Sequence, residues 1–237
     1  MNAQDMQSIE VDLALDYKIH DLKYNLYGTL LAVAGNNGSV SLFAVKNPDN
    51  PLESRSFTLL ATQNEAHLGP IWRIEFCHPV FGDFLATCSL DKTLKIWQWT
   101  NDSLSQIYTY SKFTGSVNGI SWAPHQLGFA LAACSSDGHV AIISEQTWDN
   151  EYTFEVSSQP LNCITWAPLK LTDQENVKKI HNSLLQGKNL KKIIFCTKNH
   201  FFGQKSLKII FPTEKSFFAQ KNHFYRAKIH HKIIFCT

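Results

Sequence analysis

One pattern recurs three times along the chain and restricts the available folds more than any other feature. A glycine stands nine residues before an Asp or Asn, as Gly28 before Asn37, Gly82 before Asp91, and Gly128 before Asp137. Ahead of each pair lies a run of the form apolar-x-x-apolar-x-aromatic, and a fourth run follows the third unit. The runs start 52, 46 and 44 residues apart and are Ile19, Leu22, Tyr24; Ile71, Ile74, Phe76; Val117, Ile120, Trp122; and Leu161, Ile164, Trp166. A period of this length indicates a repeat architecture.

Each repeated unit has the composition of β-structure. "FLATCSLDKTLKIWQW" holds an apolar strand, a turn at Asp91-Lys92 and a second, alternating strand. "FALAACSSDGHVAII" and "LLAVAGNNGSVSLF" repeat it around Asp-Gly and Asn-Gly, dipeptides favoured in tight hairpin turns. One four-stranded propeller blade takes about 40–45 residues. We therefore predict an all-β propeller with blades at about 8–60, 66–112 and 115–156, and the start of a fourth at 157–168.

Charge divides the chain into two parts of different character. Residues 1–169 carry 8 Lys and Arg against 17 Asp and Glu, whereas residues 170–237 carry 14 against 3. The acidic start lacks the basic and apolar regions of a secretory signal, and no apolar stretch is long enough to cross a bilayer. The six cysteines contain no Cys-x-x-Cys spacing. These features predict a reduced, cytosolic or nuclear protein with a basic tail at 169–237.

Residues of the second unit resemble the WD-repeat family. In that family a His between blades, a Ser or Thr on the second strand, an Asp at the turn and a Trp on the third strand form a hydrogen-bonded network. The resemblance implies this role for His67, Ser89, Asp91 and Trp97. The other units carry only part of the set. The third keeps Ser135 and Asp137 but has Ile143 in place of the Trp, and the first has Asn37 and Phe43.

Longer stretches resemble the Sec-thirteen group within this family. They are "HLGPIWRIEFCHPVFGDFLATCSLDKTLKIW", "SVNGISWAPHQLGFALAACSSDG" and "IHDLKYNLYG". The resemblance implies a non-enzymatic scaffold subunit of the outer COPII coat in transport from the endoplasmic reticulum to the Golgi, shared with the Y-shaped complex of the nuclear pore. It implies two kinds of partner, a strand-donating cage protein of the Sec-thirty-one type and the nucleoporins of that complex, with peripheral membrane association through the coat. Members of the group have six blades, so the chain is predicted to be an incomplete propeller.

The segment "SIEVDLALD" alternates strictly between apolar and other residues. Ile9, Val11, Leu13 and Leu15 share one side, and a period of two is typical of a half-buried strand. A strand ahead of the first blade would border the gap that a partner's strands fill. We predict that the partner docks along residues 8–16 and the neighbouring strand at 39–45. A strand that only caps the blade is the alternative.

The basic tail admits several interpretations. "KIIFCT" occurs at 192–197 and again at 232–237, and Lys, Phe, Ile, Asn and His dominate. One interpretation is a basic arm that binds nucleic acid or another anionic surface. The other is A/T-rich sequence read in a wrong frame or past a missed splice site. A metal site made from Cys196, His200, His223 and Cys236 matches no familiar zinc spacing.

Other side chains that could carry chemistry have structural explanations. Cys88 and Cys134 stand one 46-residue period apart and read as small buried strand residues. His78 and His125 read as loop residues, Trp122 and Trp166 as core, and Trp72 lies off the apolar periodicity. No phosphate-binding loop, His-Glu-x-x-His motif or nucleophile elbow is present. We predict no enzyme activity, no cofactor and no metal; the alternative to the scaffold is a generic WD-repeat adaptor for a peptide or nucleic acid, with the tail as an arm.

Overall fold

The computed structural model describes residues 13–46, 56–100, 103–144 and 152–166, and the backbone of 193–196. Within these ranges the chain forms antiparallel sheets of four strands, each strand pairing with the next in sequence. The first sheet contains β1 (Ile19–Tyr24), β2 (Leu30–Gly35), β3 (Val40–Lys46) and β4 (Ser56–Gln63). The second contains β5 (Ile71–Phe76), β6 (Phe84–Ser89), β7 (Leu94–Thr100) and β8 (Ser103–Tyr110). The third contains β9 (Val117–Trp122), β10 (Ala130–Ser135), β11 (His139–Ser144) and β12 (Tyr152–Glu155).

A fourth unit begins with β13 (Cys163–Trp166), which pairs with β14 (Ile193–Cys196). The register places Cys163 opposite Cys196 and Trp166 opposite Ile193. Four residues of the basic tail predicted at 169–237 therefore pair with the start of the fourth unit. "IIFC" is rich in residues that favour strands, and it supplies a second strand to an edge that would otherwise be unpaired.

The apolar cores lie between successive sheets. Leu42, Ile74 and Trp97 belong to the core between the first and second sheets, and Ile96 and Ile143 to the core between the second and third. A third core joins the third sheet to β13 through Ala132, Ile142 and Trp166. Strands β1, β5, β9 and β13 lie side by side at the inner edges of their sheets. Sheets stacked face to face with their first strands innermost are blades, which confirms the all-β propeller prediction.

Two hairpin glycines hold the connection to the following blade. Gly38 and Gly138 have φ values of 83° and 84°, a region that glycine adopts without strain. Their carbonyls accept the backbone N–H of His67 at 3.0 Å and of Val156 at 2.9 Å. A Cβ at either glycine would collide with the backbone of that connecting segment, at His67 and Ser157 respectively. The Asn-Gly and Asp-Gly turns are thus packing sites as well as turns.

Indole hydrogen bonds tie β9 to β5 and β13 to β9. Trp122 Nε1 donates to the carbonyl of Glu75 at 3.0 Å, and Trp166 Nε1 donates to the carbonyl of Ser121 at 2.8 Å. Both rings are buried, which confirms that they are core residues. Because a buried indole N–H needs an acceptor, these bonds set the height at which one blade sits beside the next.

Candidate functional site

A buried polar network lies in the second sheet. The Nδ1 atom of His67 lies 3.1 Å from Asp91 Oδ2 and 2.9 Å from the Thr93 hydroxyl. On the other side of the ring, Nε2 lies 2.7 Å from the Thr87 hydroxyl, which also accepts the indole N–H of Trp97 at 2.9 Å. His67 is 2% exposed and Thr87 is fully buried. The network therefore ties the connecting segment, the second strand and the third strand into one unit.

The acceptor groups of this network determine which atoms carry the hydrogens. A carboxylate only accepts hydrogen bonds, so the hydrogen on the His67 ring must sit on Nδ1 and point at Asp91. Burial lowers the pKa of His67, although Asp91 acts in the opposite direction, so the ring is neutral and Nε2 accepts the Thr87 O–H. Hydrogen bonds from His67 and Thr93 outweigh the burial of Asp91 and hold its pKa well below the usual range. Every buried donor and acceptor here has a partner.

Ser89, which the resemblance places in the network, does not join His67 to Trp97. Its hydroxyl donates to the carbonyls of Gly69 at 3.1 Å and Pro70 at 2.9 Å, and accepts the backbone N–H of Asp91 at 3.1 Å. Ser89 thus shapes the turn, while Thr87 joins His67 to Trp97. A sequence signal for Thr87 exists, since it is polar at a position that is apolar in the other two units.

Apolar side chains stand at the matching positions of the other sheets. In the third sheet Phe113, Ala133 and Ile143, each 46 residues later, replace His67, Thr87 and Trp97 and are buried. In the first sheet the positions 54 residues earlier hold Leu13, Val33 and Phe43, which pack together. Removing a whole buried hydrogen-bonded set costs far less than removing one member. This explains how two units dispense with the network.

The third sheet keeps the aspartate at its turn although it lacks the rest of the network. Asp137 Oδ2 accepts the backbone N–H of Thr114 at 2.7 Å and of Gly115 at 3.2 Å, and Oδ1 accepts that of His139 at 3.0 Å. Although partial burial acts the other way, these bonds lower the pKa of Asp137 to about 2. The carboxylate therefore fastens the incoming connection by itself.

The outer face of the first sheet is the face turned away from the second sheet, formed by Leu31, Val33, Phe43 and Val45. All four are buried, and among the described residues Leu13, Leu15, Tyr17 and Phe57 pack against them. Leu13 and Leu15 are themselves only partly buried. In the second and third sheets, the corresponding faces pack against a neighbouring blade.

The strand predicted at 8–16 is wrong for residues 13–16, which belong to no strand. Ala14 has a φ of 51°, outside the extended region, so the backbone cannot continue a ladder there. The alternation nevertheless separates Leu13 and Leu15, which face the sheet, from Ala14 and Asp16, which are exposed. Ile9 and Val11 lie outside the described residues.

The remaining candidate side chains lie on strands and loops of the second and third sheets. Cys88 and Cys134 are fully buried, as predicted, and burial raises the pKa of both thiols. His78 caps its loop by accepting the N–H of Val80 at 3.2 Å, and its ring stacks on His125 with centroids 4.2 Å apart. Trp72 is 37% exposed.

In the described ranges, no three His, Cys, Asp or Glu side chains come together as metal ligands, and no helix is long and apolar enough to span a bilayer. The tail candidates His200, His223 and Cys236 lie outside those ranges, as does the side chain of Cys196.

A protein-family model described as "WD domain, G-beta repeat" matches residues 57–98. The match runs from the last strand of the first sheet through the third strand of the second. It contains every member of the network.

The sequence is 31% identical over 169 residues to "Protein SEC13 homolog" of Drosophila melanogaster, covering 69% of this chain and 45% of that protein. It is 35% identical over 161 residues to "Protein transport protein SEC13" of Coccidioides immitis, covering 65% and 50%. The second unit matches a WD repeat, and the chain resembles Sec-thirteen. The chain spans about half the length of these relatives, in keeping with an incomplete Sec-thirteen-like propeller.

Solved structures agree on the fold. The chain resembles the "Crystal structure of RRP9 WD40 repeats" with a TM-score of 0.52 at 15% identity, covering 64% of this chain and 42% of that one. "Structure of U3-55K" gives the same TM-score and identity. At this identity the likeness concerns the propeller architecture alone.

Proposed function

We propose that this Sec-thirteen-like chain is a non-enzymatic scaffold subunit of the outer COPII coat, and of the Y-shaped complex of the nuclear pore. Its place is then the cytoplasmic face of the endoplasmic reticulum, COPII vesicles and the nuclear pore, with membrane association through the coat. The names of its relatives, which describe protein transport, support the first role. The role is mechanical, because stacked blades with buried polar and apolar joints form a stiff body.

The outer face of the first sheet carries this proposal. Its apolar residues occupy the positions that pack between blades elsewhere in the molecule, yet the covering segment supplies only side chains and no described strand. Strands from a cage partner of the Sec-thirty-one type can therefore be added beside this sheet. A blade built from these strands would pack apolar side chains on this face, and the burial of apolar surface would give the interaction its affinity.

The alternative is a WD-repeat adaptor with the basic tail as a nucleic-acid arm. It depends on residues 170–237, of which only the backbone of 193–196 is described. The structure adds no contact in its favour.

The test replaces Leu13 and Leu15 together with Asp and measures capture of the strand-donating cage partner. We expect capture to fall at least about tenfold, because two charges would border an apolar interface. Ile107→Asp is the matched control, since Ile107 is a 40% exposed apolar residue on the second sheet. Equal capture by the double variant and the control, both folded by circular dichroism, would show that the partner docks elsewhere. Leu15→Asn supplies a milder variant if the double substitution unfolds the chain.

A further inference from the structure

A cleft of about 460 Å³ lies where the inner strands β1, β5, β9 and β13 end. This is the opposite end of those strands from the His67 network, because β5 begins beside the Asp91 turn and runs away from it. The repeat places one equivalent residue from each inner strand in the wall of the cleft. The residue just before the final aromatic of each inner strand lines the cleft, and these residues are Lys23, Glu75, Ser121 and Thr165.

Glu75 is the acidic group of the cleft wall. Burial raises its pKa to about 7, although the backbone N–H of Trp122 and the charge of Lys23 act in the opposite direction. Among the described residues, no Lys or Arg nitrogen lies within 4 Å of the Glu75 carboxylate. A cationic ligand would stabilise the ionised form of a carboxyl group in this position.

Aromatic rings form much of the remaining wall. Tyr24, Phe76, Trp122 and Trp166 line the cleft, and Tyr24 is 39% exposed. The stacked rings of His78 and His125 lie at its rim. A planar cation suits a site that combines an acidic group with aromatic faces, because guanidinium pairs with a carboxylate through two hydrogen bonds and stacks on rings.

We propose that this cleft binds the guanidinium group of an arginine side chain presented by a peptide, with Glu75 as its counter-charge and Tyr24 as an aromatic wall. The volume falls within the range of small-ligand sites and accommodates one long side chain. Because Lys23 and the two histidines also line the cleft, an anionic peptide is the competing ligand that the experiment must separate.

The probe is a blocked tripeptide, glycine-arginine-glycine, titrated against the full chain by calorimetry and by tryptophan fluorescence, since Trp122 and Trp166 line the cleft. The same peptide with citrulline, lysine or glutamate at the centre tests charge and shape. We expect arginine to bind best and citrulline, a neutral isostere, at least about tenfold more weakly. Glu75→Gln should weaken arginine binding by a similar factor, whereas Glu155→Gln, on β12 and outside the cleft, should leave it unchanged.

The pH profile gives a second readout. At pH 7 about half of the Glu75 groups carry a proton, so binding should release about half a proton and tighten as pH rises from 6 to 8. Other titratable or charged groups line the cleft: Lys23 on β1, Cys77 and His78 after β5, and His125 after β9. Asp21 on β1 does not line the cleft, but its charge acts on Glu75. The Glu75→Gln variant isolates the contribution of these other groups to the pH profile.

Three results would overturn the proposal: no arginine binding, equal binding of citrulline, or preferred binding of glutamate. Tyr24→Leu provides an independent variant, expected to weaken arginine more than lysine. A folded Glu75→Gln protein that binds arginine as tightly as the original chain would also exclude Glu75 as the counter-charge.

Discussion

Thr87→Val tests whether the buried network stabilises the second blade. Valine has nearly the shape of threonine but lacks the hydroxyl, which lies 2.7 Å from His67 Nε2 and 2.9 Å from Trp97 Nε1. The change leaves one buried acceptor and one buried donor unpaired, at about 1–3 kcal/mol each. Allowing for partial relaxation, we expect the free energy of unfolding to fall by about 2–4 kcal/mol. For a chain of this size that is roughly 4–16 °C in melting temperature.

Urea unfolding followed by tryptophan fluorescence provides the measurement. Thr87→Ser is the matched control, because it keeps the hydroxyl and removes only a methyl group, at about 0.5–1.5 kcal/mol. A valine variant as stable as the serine variant would refute the reasoning. It would mean that water or a shifted His67 satisfies the freed groups.

Two further predictions concern carboxyl groups. Asp91→Ala should lower the unfolding free energy by about 1–3 kcal/mol more than Asp137→Ala, because only Asp91 pairs with a buried imidazole, and equal urea midpoints would contradict this. The raised pKa of Glu75, about 7, means that the folded chain holds a proton more tightly than the unfolded chain, so its contribution is complete below about pH 4.5 and is lost as pH rises through about 7. Between pH 5 and pH 8 the free energy of unfolding of the Glu75→Gln variant should therefore rise by about 1–3 kcal/mol relative to that of the original chain. A thermal-unfolding series measures this difference, and parallel profiles for the two proteins would argue against it.

The blades could be predicted from sequence because their signal is periodic. Each apolar-x-x-apolar-x-aromatic run corresponds to an inner strand, and each glycine and Asp or Asn pair brackets the second strand of its unit. Position 87 illustrates what periodicity leaves open. Thr87 and Ser89 lie two apart on β6 and so point to the same side, and only the register that sets Leu85 opposite Trp97 places Thr87 under the indole.

The strand predicted at the N-terminus fails for a different reason. An extended segment that crosses an apolar face buries every second residue whether or not it pairs with a strand. Leu13 and Leu15 satisfy the alternation by packing on Val33 and Phe43. A period of two therefore identifies the buried side of this segment but cannot identify its hydrogen-bond partners.

The indole bonds between inner strands have a direction. In both of them the donor belongs to the later strand and the acceptor to the earlier one, as with Trp166 and Ser121. A sheet that emerges from the ribosome thus finds its acceptor already in place on the sheet before it. Domains generally fold from the N-terminus during synthesis. We therefore expect each blade to pack on the blade before it without needing the blade that follows.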